Sequence, residues 1–164
     1  MQTAYFAGGC FWCITPNFKE TDGVLTVTSG YSGGQEKDPT YLDVKSQSTG
    51  HRETIRVEYD ESVVSFDTLL DIFLCGVDPF DDGGQFIDRG FSYTLAIYYT
   101  DDMQYTASKT RIDALAESSQ KPVYIALEPF TEFYTAEEEH QDYYLKHPEE
   151  FERELIESGR KSAE

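Results

Sequence analysis

Cysteine, basic residues and long apolar runs are all scarce in this chain, and each shortage excludes a class of protein. Three cysteines in 164 residues do not make the paired framework of a small secreted domain. Thirteen basic residues against 31 acidic ones give a net charge of −18, which repels phosphate backbones and anionic headgroups, so neither nucleic acid nor a membrane surface is an expected partner. No apolar stretch approaches spanning length, and Met1-Gln2-Thr3 runs into an apolar segment without a basic n-region; a cytoplasmic protein is expected. Signatures of metal and phosphate sites are missing too. No second CxxC accompanies Cys10 and Cys13, and His51, His140 and His147 show no HxxxH spacing, which argues against zinc. The Asp-rich run from Asp78 has Phe80 and Arg89 where a calcium loop needs oxygen ligands. Gly30, Gly33 and Gly34 lack the Lys-Ser/Thr that completes a phosphate loop. No internal repeat or low-complexity linker interrupts the chain.

What is present suffices for one domain over residues 1–164, with 39% apolar and 15% aromatic residues to fill a core. Ala4 to Ala7 reads as a strand. Ile14 to Lys19 reads as a short helix, with Pro16 tolerated only in its first turn. Val24 to Ser29 alternates as a strand that Gly30-Tyr31-Ser32-Gly33-Gly34 breaks, Thr40 to Val44 forms a helical turn, and Arg52 to Tyr59 alternates as a second strand. Ser65 caps a helix ending near Cys75-Gly76, with Cys75 in the core or the cap region. A loop fills Val77 to Gly90, Phe91 to Tyr99 is a strand, Asp102 or Thr106 to Ser118 an exposed helix, and Pro122 to Leu127 a strand. Two helical pieces follow, Thr135 to Lys146 and Pro148 to Ser158. This interspersion points to an α+β two-layer sandwich.

Chemistry concentrates at Ala7-Gly8-Gly9-Cys10-Phe11-Trp12-Cys13. Glycines turn the chain from strand to helix, and Cys10 at the helix start meets free N–H groups and a dipole that favour a thiolate with a lowered pKa. The competing reading makes Cys10 and Cys13 small buried hydrophobes. Phe11 and Trp12 offer an apolar cage for an electrophile, or simply core. Glu53 falls on the same face of its strand as Ile55, Val57 and Tyr59; buried there it stays protonated and suits a general acid, whereas at an exposed strand end it pairs with Arg52 or Arg56. Two other uses of the thiol compete with this reading, a thiol–disulfide oxidoreductase and a Cys-His hydrolase with His51 as base, and a peptide-binding module without catalysis is a third class.

Gly9-Cys10-Phe11-Trp12, Ser29-Gly30-Tyr31-Ser32-Gly33-Gly34, Pro39-Thr40-Tyr41, Thr49-Gly50-His51-Arg52-Glu53, Asp78-Pro79, Gln85-Phe86-Ile87-Asp88-Arg89-Gly90 and Glu139-His140-Gln141-Asp142-Tyr143 occur in this order. Together they resemble the methionine sulfoxide reductase A family over nearly the whole chain. The resemblance implies a ferredoxin-like core of mixed sheet with helices on one face and long wrapping loops. It implies repair of the S epimer of methionine sulfoxide, free or in proteins, under oxidative stress, without metal or organic cofactor. It makes Cys10 the nucleophile, Phe11 and Trp12 the pocket for the substrate methyl, and Glu53 the proton donor to the sulfoxide oxygen. Tyr41 and Tyr93 would hydrogen-bond that oxygen, and Asp88 would help position the site. Thioredoxin is the reductant it implies. Three departures stand out: Cys13 where glycine is most frequent, no cysteine in the tail after Cys75, and Phe91-Ser92-Tyr93 for Thr-Gln-Tyr. Cys13 is the candidate second thiol that resolves the sulfenic acid on Cys10, since residues three apart on a helical turn are neighbours; Cys75 and an external thiol are the alternatives.

Overall fold

The structure, a computed structural model, describes residues 1–157; the end expected for the last helix, Ser158, and the tail beyond it lie outside the described residues. Among the described residues the elements are, in order, β1 (Gln2–Gly8), α1 (Phe11–Lys19), β2 (Val24–Ser32), α2 (Tyr41–Lys45), β3 (Arg52–Tyr59), α3 (Phe66–Cys75), β4 (Gly84–Gln85), β5 (Asp88–Arg89), β6 (Leu95–Tyr99), α4 (Asp102–Ser119), β7 (Ile125–Pro129), β8 (Phe133–Thr135), α5 (Tyr143–Lys146) and α6 (Pro148–Glu157). Six strands form one mixed sheet in the order β7-β6-β1-β3-β2-β8, antiparallel except for the β6–β7 pair; β4 and β5 make a separate hairpin. The order β6-β1-β3-β2, with α1 and α3 as crossovers, is the expected ferredoxin-like α+β core.

Alternation along β1 sorts its side chains onto two buried faces. Ala4 and Phe6 join Ile14 and Phe18 of α1, Leu69, Leu70 and Phe73 of α3, and Ile55 and Val57 of β3 in the main core. Phe6 stacks on Phe18, Phe66 and Phe73 at centroid distances of 5.2, 6.0 and 5.1 Å. Tyr5 and Ala7 face the other way, onto Tyr98, Phe130 and Phe133. The sheet is thus covered by helices on one side and by wrapping chain on the other.

Several local expectations are corrected. β2 does not stop at Gly30 but continues to Ser32, and glycine is needed there for closeness: a Cβ at Gly30 would lie 2.3 Å from Phe133 Cζ and 2.4 Å from the Tyr134 carbonyl on β8. Pro16 sits inside α1, which starts already at Phe11. There it lacks the N–H that would reach the Trp12 carbonyl one turn back, an interior cost that the tertiary packing of α1 overrides, while the Thr15 hydroxyl donates to the Phe11 carbonyl at 2.6 Å. The strand expected from Phe91 begins at Leu95, after a 3₁₀ turn over Phe91–Tyr93. The strand expected from Pro122 begins at Ile125. Thr135 to Lys146 is not one helix: β8 adds to the edge of β2, a 3₁₀ turn covers Glu138–His140, and only Tyr143–Lys146 is helical. Tertiary pairing of Phe133–Thr135 with the β2 edge overrides the acidic first-turn signal. The loop after α3 holds the β4–β5 hairpin, organised by buried Gln85, which accepts from the Asp78 amide at 2.7 Å and donates to the Asp78 carbonyl at 2.8 Å.

Candidate active site

Gly9, with φ of 86°, makes the sharp turn off β1 that only glycine takes cheaply. The turn leaves Cys10 as the N-cap of α1 and Cys13 in the first helical turn, its amide donating to the Cys10 carbonyl at 3.1 Å. Both thiols are buried, 5% and 6% exposed, and both are free cysteines. The expected lowering of the Cys10 pKa is overturned. A hydrogen bond with the Cys13 thiol is the largest of the causes that raise the Cys10 thiol well above its ordinary value, followed by burial and the nearby negative charges of Glu53 and Asp88. The helix start also spends a donor elsewhere, because the Phe11 amide donates to Glu53 Oε1 at 3.2 Å.

That bond joins the two halves of the site. Glu53 is 1% exposed, opposite Tyr31 in the β2–β3 register. The two arginines named as alternative partners are engaged elsewhere. Arg52 points to the other face, donating to Thr94 Oγ1, Tyr98 Oη and Glu128 at 2.8, 3.0 and 3.3 Å, and Arg56 pairs with Glu58 at 3.4 Å. Tyr93, at the end of the 3₁₀ turn, is buried, and its hydroxyl is raised far above the ordinary tyrosine value by burial first and then by the charges of Glu53, Tyr41, Cys10 and Asp88. Those groups act on one another only because β1, β3, α2, β5 and the 3₁₀ turn converge here. Tyr41 reaches the site because Thr40 and Asp43 form a reciprocal capping box at the start of α2.

An aromatic wall closes the other side. Trp12 stacks on Tyr143 at 4.1 Å and on Tyr41 at 6.1 Å, while fully buried Phe11 lies 6.4 Å from Tyr41 and 5.9 Å from Tyr31. His140 sits in the same group, 4.2 Å from Tyr41 and 5.6 Å from Trp12, and its burial holds the imidazole below its ordinary range. Phe151 of α6 packs directly against Cys10 and Cys13, with Trp12, Tyr143 and Leu155 around them.

The site therefore assembles all eight residues singled out in the sequence around one point: Cys10, Cys13, Phe11, Trp12, Glu53, Tyr41, Tyr93 and Asp88. Two residues considered for the chemistry lie apart from it. His51 Nδ1 accepts from the Gly34 amide at 3.2 Å and Nε2 meets the Glu36 carbonyl at 2.7 Å, so both nitrogens are occupied in a loop and neither serves Cys10 as base. Cys75 is exposed at the end of α3, neither core nor near Cys10, in a groove with Asn17, Glu20, Asp71 and Ile72. Tyr31 and Glu137 were missed. The Tyr31 hydroxyl donates to Glu137 Oε1 at 2.9 Å and the Tyr41 amide to Glu137 Oε2 at 3.0 Å. Continuing the β2 alternation through Gly30 would have set Tyr31 opposite Glu53; nothing local marks Glu137.

Residues 2–164 match the family described as peptide methionine sulfoxide reductase. Peptide methionine sulfoxide reductase MsrA of Bacillus licheniformis is 44% identical over 97% of this chain and 89% of its own length. Methionine sulfoxide reductase A of Corynebacterium diphtheriae superimposes with a TM-score of 0.80 at 31% identity, covering 90% of this chain and 75% of that one. Reduced Mxr1 of Saccharomyces cerevisiae superimposes with a TM-score of 0.84 at 25% identity over 90% of this chain and 86% of that one; Mxr1 has also been solved in complex with Trx2, a match at 18% identity with a TM-score of 0.57 over 87% of this chain and 84% of that one. The chain belongs to the peptide methionine sulfoxide reductase family.

Proposed function

We propose that this reductase acts on the S epimer of methionine sulfoxide, free or within proteins, with Cys10 as nucleophile and Glu53 as acid. The observation that carries the reading is the 3.2 Å bond from the Phe11 amide to Glu53 Oε1. It fixes a buried carboxyl beside the residue that follows the thiol, at the mouth of an aromatic cage. Phe11 and Trp12 would hold the substrate methyl, and Tyr41 and Tyr93, with Asp88 beside them, would bind the sulfoxide oxygen.

The oxygen of a sulfoxide leaves badly as oxide, so it must be protonated as the Cys10 sulfur attacks. Glu53, when protonated, donates to that oxygen and is left as a carboxylate facing the Phe11 amide. The step balances as thiol plus sulfoxide giving sulfenic acid on Cys10 plus methionine thioether. Cys13, buried beside Cys10 in the first turn of α1, then attacks the sulfenic sulfur, releasing water and forming a Cys10–Cys13 disulfide. A dithiol of the thioredoxin class reduces that disulfide by exchange, a role consistent with the complex of the related Mxr1 with Trx2.

One turnover on N-acetyl-methionine-S-sulfoxide without reductant, followed by mass spectrometry, is expected to give a Cys10–Cys13 disulfide and no adduct at Cys75. Cys10→Ser should be inactive, and Cys13→Ser should stop as a sulfenic acid on Cys10. Wild-type turnover of Cys13→Ser with thioredoxin would overturn the resolving role of Cys13.

A further inference from the structure

Behind the aromatic wall, the turn that ends at His140 gathers three donor groups that the chemistry above does not use. One oxygen each of Glu137 and Glu139 and one ring nitrogen of His140 all lie within 4.8 Å of one another. A second observation points into this cluster. His140 is 7% exposed, yet among the described residues neither ring nitrogen has a hydrogen-bond partner. Its Nε2 faces Glu139 Oε1 at 3.7 Å, beyond hydrogen-bonding distance. A buried imidazole with both nitrogens unsatisfied is costly, and such groups in native proteins call for an explanation.

We propose that Glu137, Glu139 and His140 bind one divalent first-row cation of the Mn2+ type. One imidazole and two carboxylates are the donor set such ions take, and a dication cancels the two negative charges. Metal–donor bonds of about 2.1 Å bring neighbouring donor atoms about 3 to 4 Å apart, so the present spacing needs only a small closure, which the exposed Glu139 side chain can supply. The other two groups are already held. Glu137 accepts from the Tyr31 hydroxyl and the Tyr41 amide, leaving each oxygen a further lone pair, and the His140 ring is fixed by its stack on Tyr41. Glu138 is not a ligand, because it pairs outward with Lys146 at 3.3 Å. The bound ion ties the turn to α2 and β2 through Glu137 and stiffens the wall that Tyr41 and Trp12 form.

Mn2+ is the probe, since it prefers oxygen and nitrogen donors and leaves the thiols alone. Loss of the free-ion electron paramagnetic resonance signal gives the stoichiometry, and the fluorescence of Trp12, the single tryptophan, reports binding at the wall. The expected result is one ion per chain, saturating at micromolar concentration with quenching of Trp12 and a raised Tm. Glu139→Gln and His140→Phe, the second keeping a ring in the stack, should each weaken binding at least about tenfold, in line with the cost of losing a metal-site group. If His140→Phe does not fold, Glu139→Gln decides alone. Binding that fails to saturate below about 1 mM, survives Glu139→Gln unchanged, or depends on Cys10 and Cys13 overturns the proposal.

Discussion

At Glu53 the proposed chemistry rests on one side chain, a buried carboxyl anchored to the amide that follows the Cys10 sulfur. Glu53→Gln keeps the shape and an acceptor for the Phe11 amide while removing the proton. The expected result is a fall in kcat of about 10²- to 10⁴-fold, the usual worth of general acid catalysis, with KM little changed, as follows when an interaction is lost only in the transition state. Steady-state kinetics on the free sulfoxide and on a peptide checks this, and an unaltered kcat would remove Glu53 from the mechanism. The residue scale also shows why the pKa of Cys10 could not be read from its position. Placement at a helix start argues for a lowered value, but the Phe11 amide is given to Glu53 and the neighbouring thiol of Cys13 is a hydrogen-bond partner. Both facts depend on what folds over the helix start.

Among the elements, α6 covers the two thiols. Phe151 packs on both thiols, and Leu155 lies beside it one turn on. Phe151→Ala should expose the pair. Alkylation of Cys10 by iodoacetamide is expected to rise several-fold over the wild type at pH 8, read by mass spectrometry of the labelled chain. In the wild type the rate should still be climbing above pH 9, the ordinary thiol value, since the folded-state pKa is raised. A plateau near pH 9 would contradict that. Elements with strong local patterns were legible in the sequence: β3 with Glu53 on its inward face, α2 behind Thr40, α3 behind Ser65 and α4 agree with their signals. The stretch after Phe133 was not, because β8 exists only by pairing with the edge of β2, and Glu137 and His140 acquire partners more than ninety residues away. The eight site residues were legible as a set through the order of short motifs rather than through local physics. The glycine turn placed Cys10 and strand alternation placed Glu53, but neither had a means to choose Tyr41 and Tyr93 among twelve tyrosines.

For the whole molecule, burial of acidic protons sets the alkaline limit of stability. Tyr31 is raised by burial and by its bond to Glu137, Tyr93 by burial and the charge of Glu53, and Cys10 by Cys13 and burial. The unfolded chain releases these protons near 9.0 for the thiol and 10.0 for the tyrosines, while the folded chain keeps them. Above pH 9 the folded state therefore binds more protons than the unfolded one, and stability falls as pH rises, by about 1.4 kcal/mol per pH unit for each retained proton. Thermal unfolding from pH 7 to 11 should show a flat Tm to about pH 9 and a steep decline beyond it, with tyrosinate absorbance appearing together with unfolding; a Tm unchanged to pH 11 would refute this. The covering of Cys10 has one more consequence, for survival among oxidants. Peroxide attacks exposed thiolates, and a neutral sulfur roofed by Phe151 offers it neither charge nor access. On the proposed chemistry, a sulfur covered in this way is spared the oxidation that the protein repairs in others.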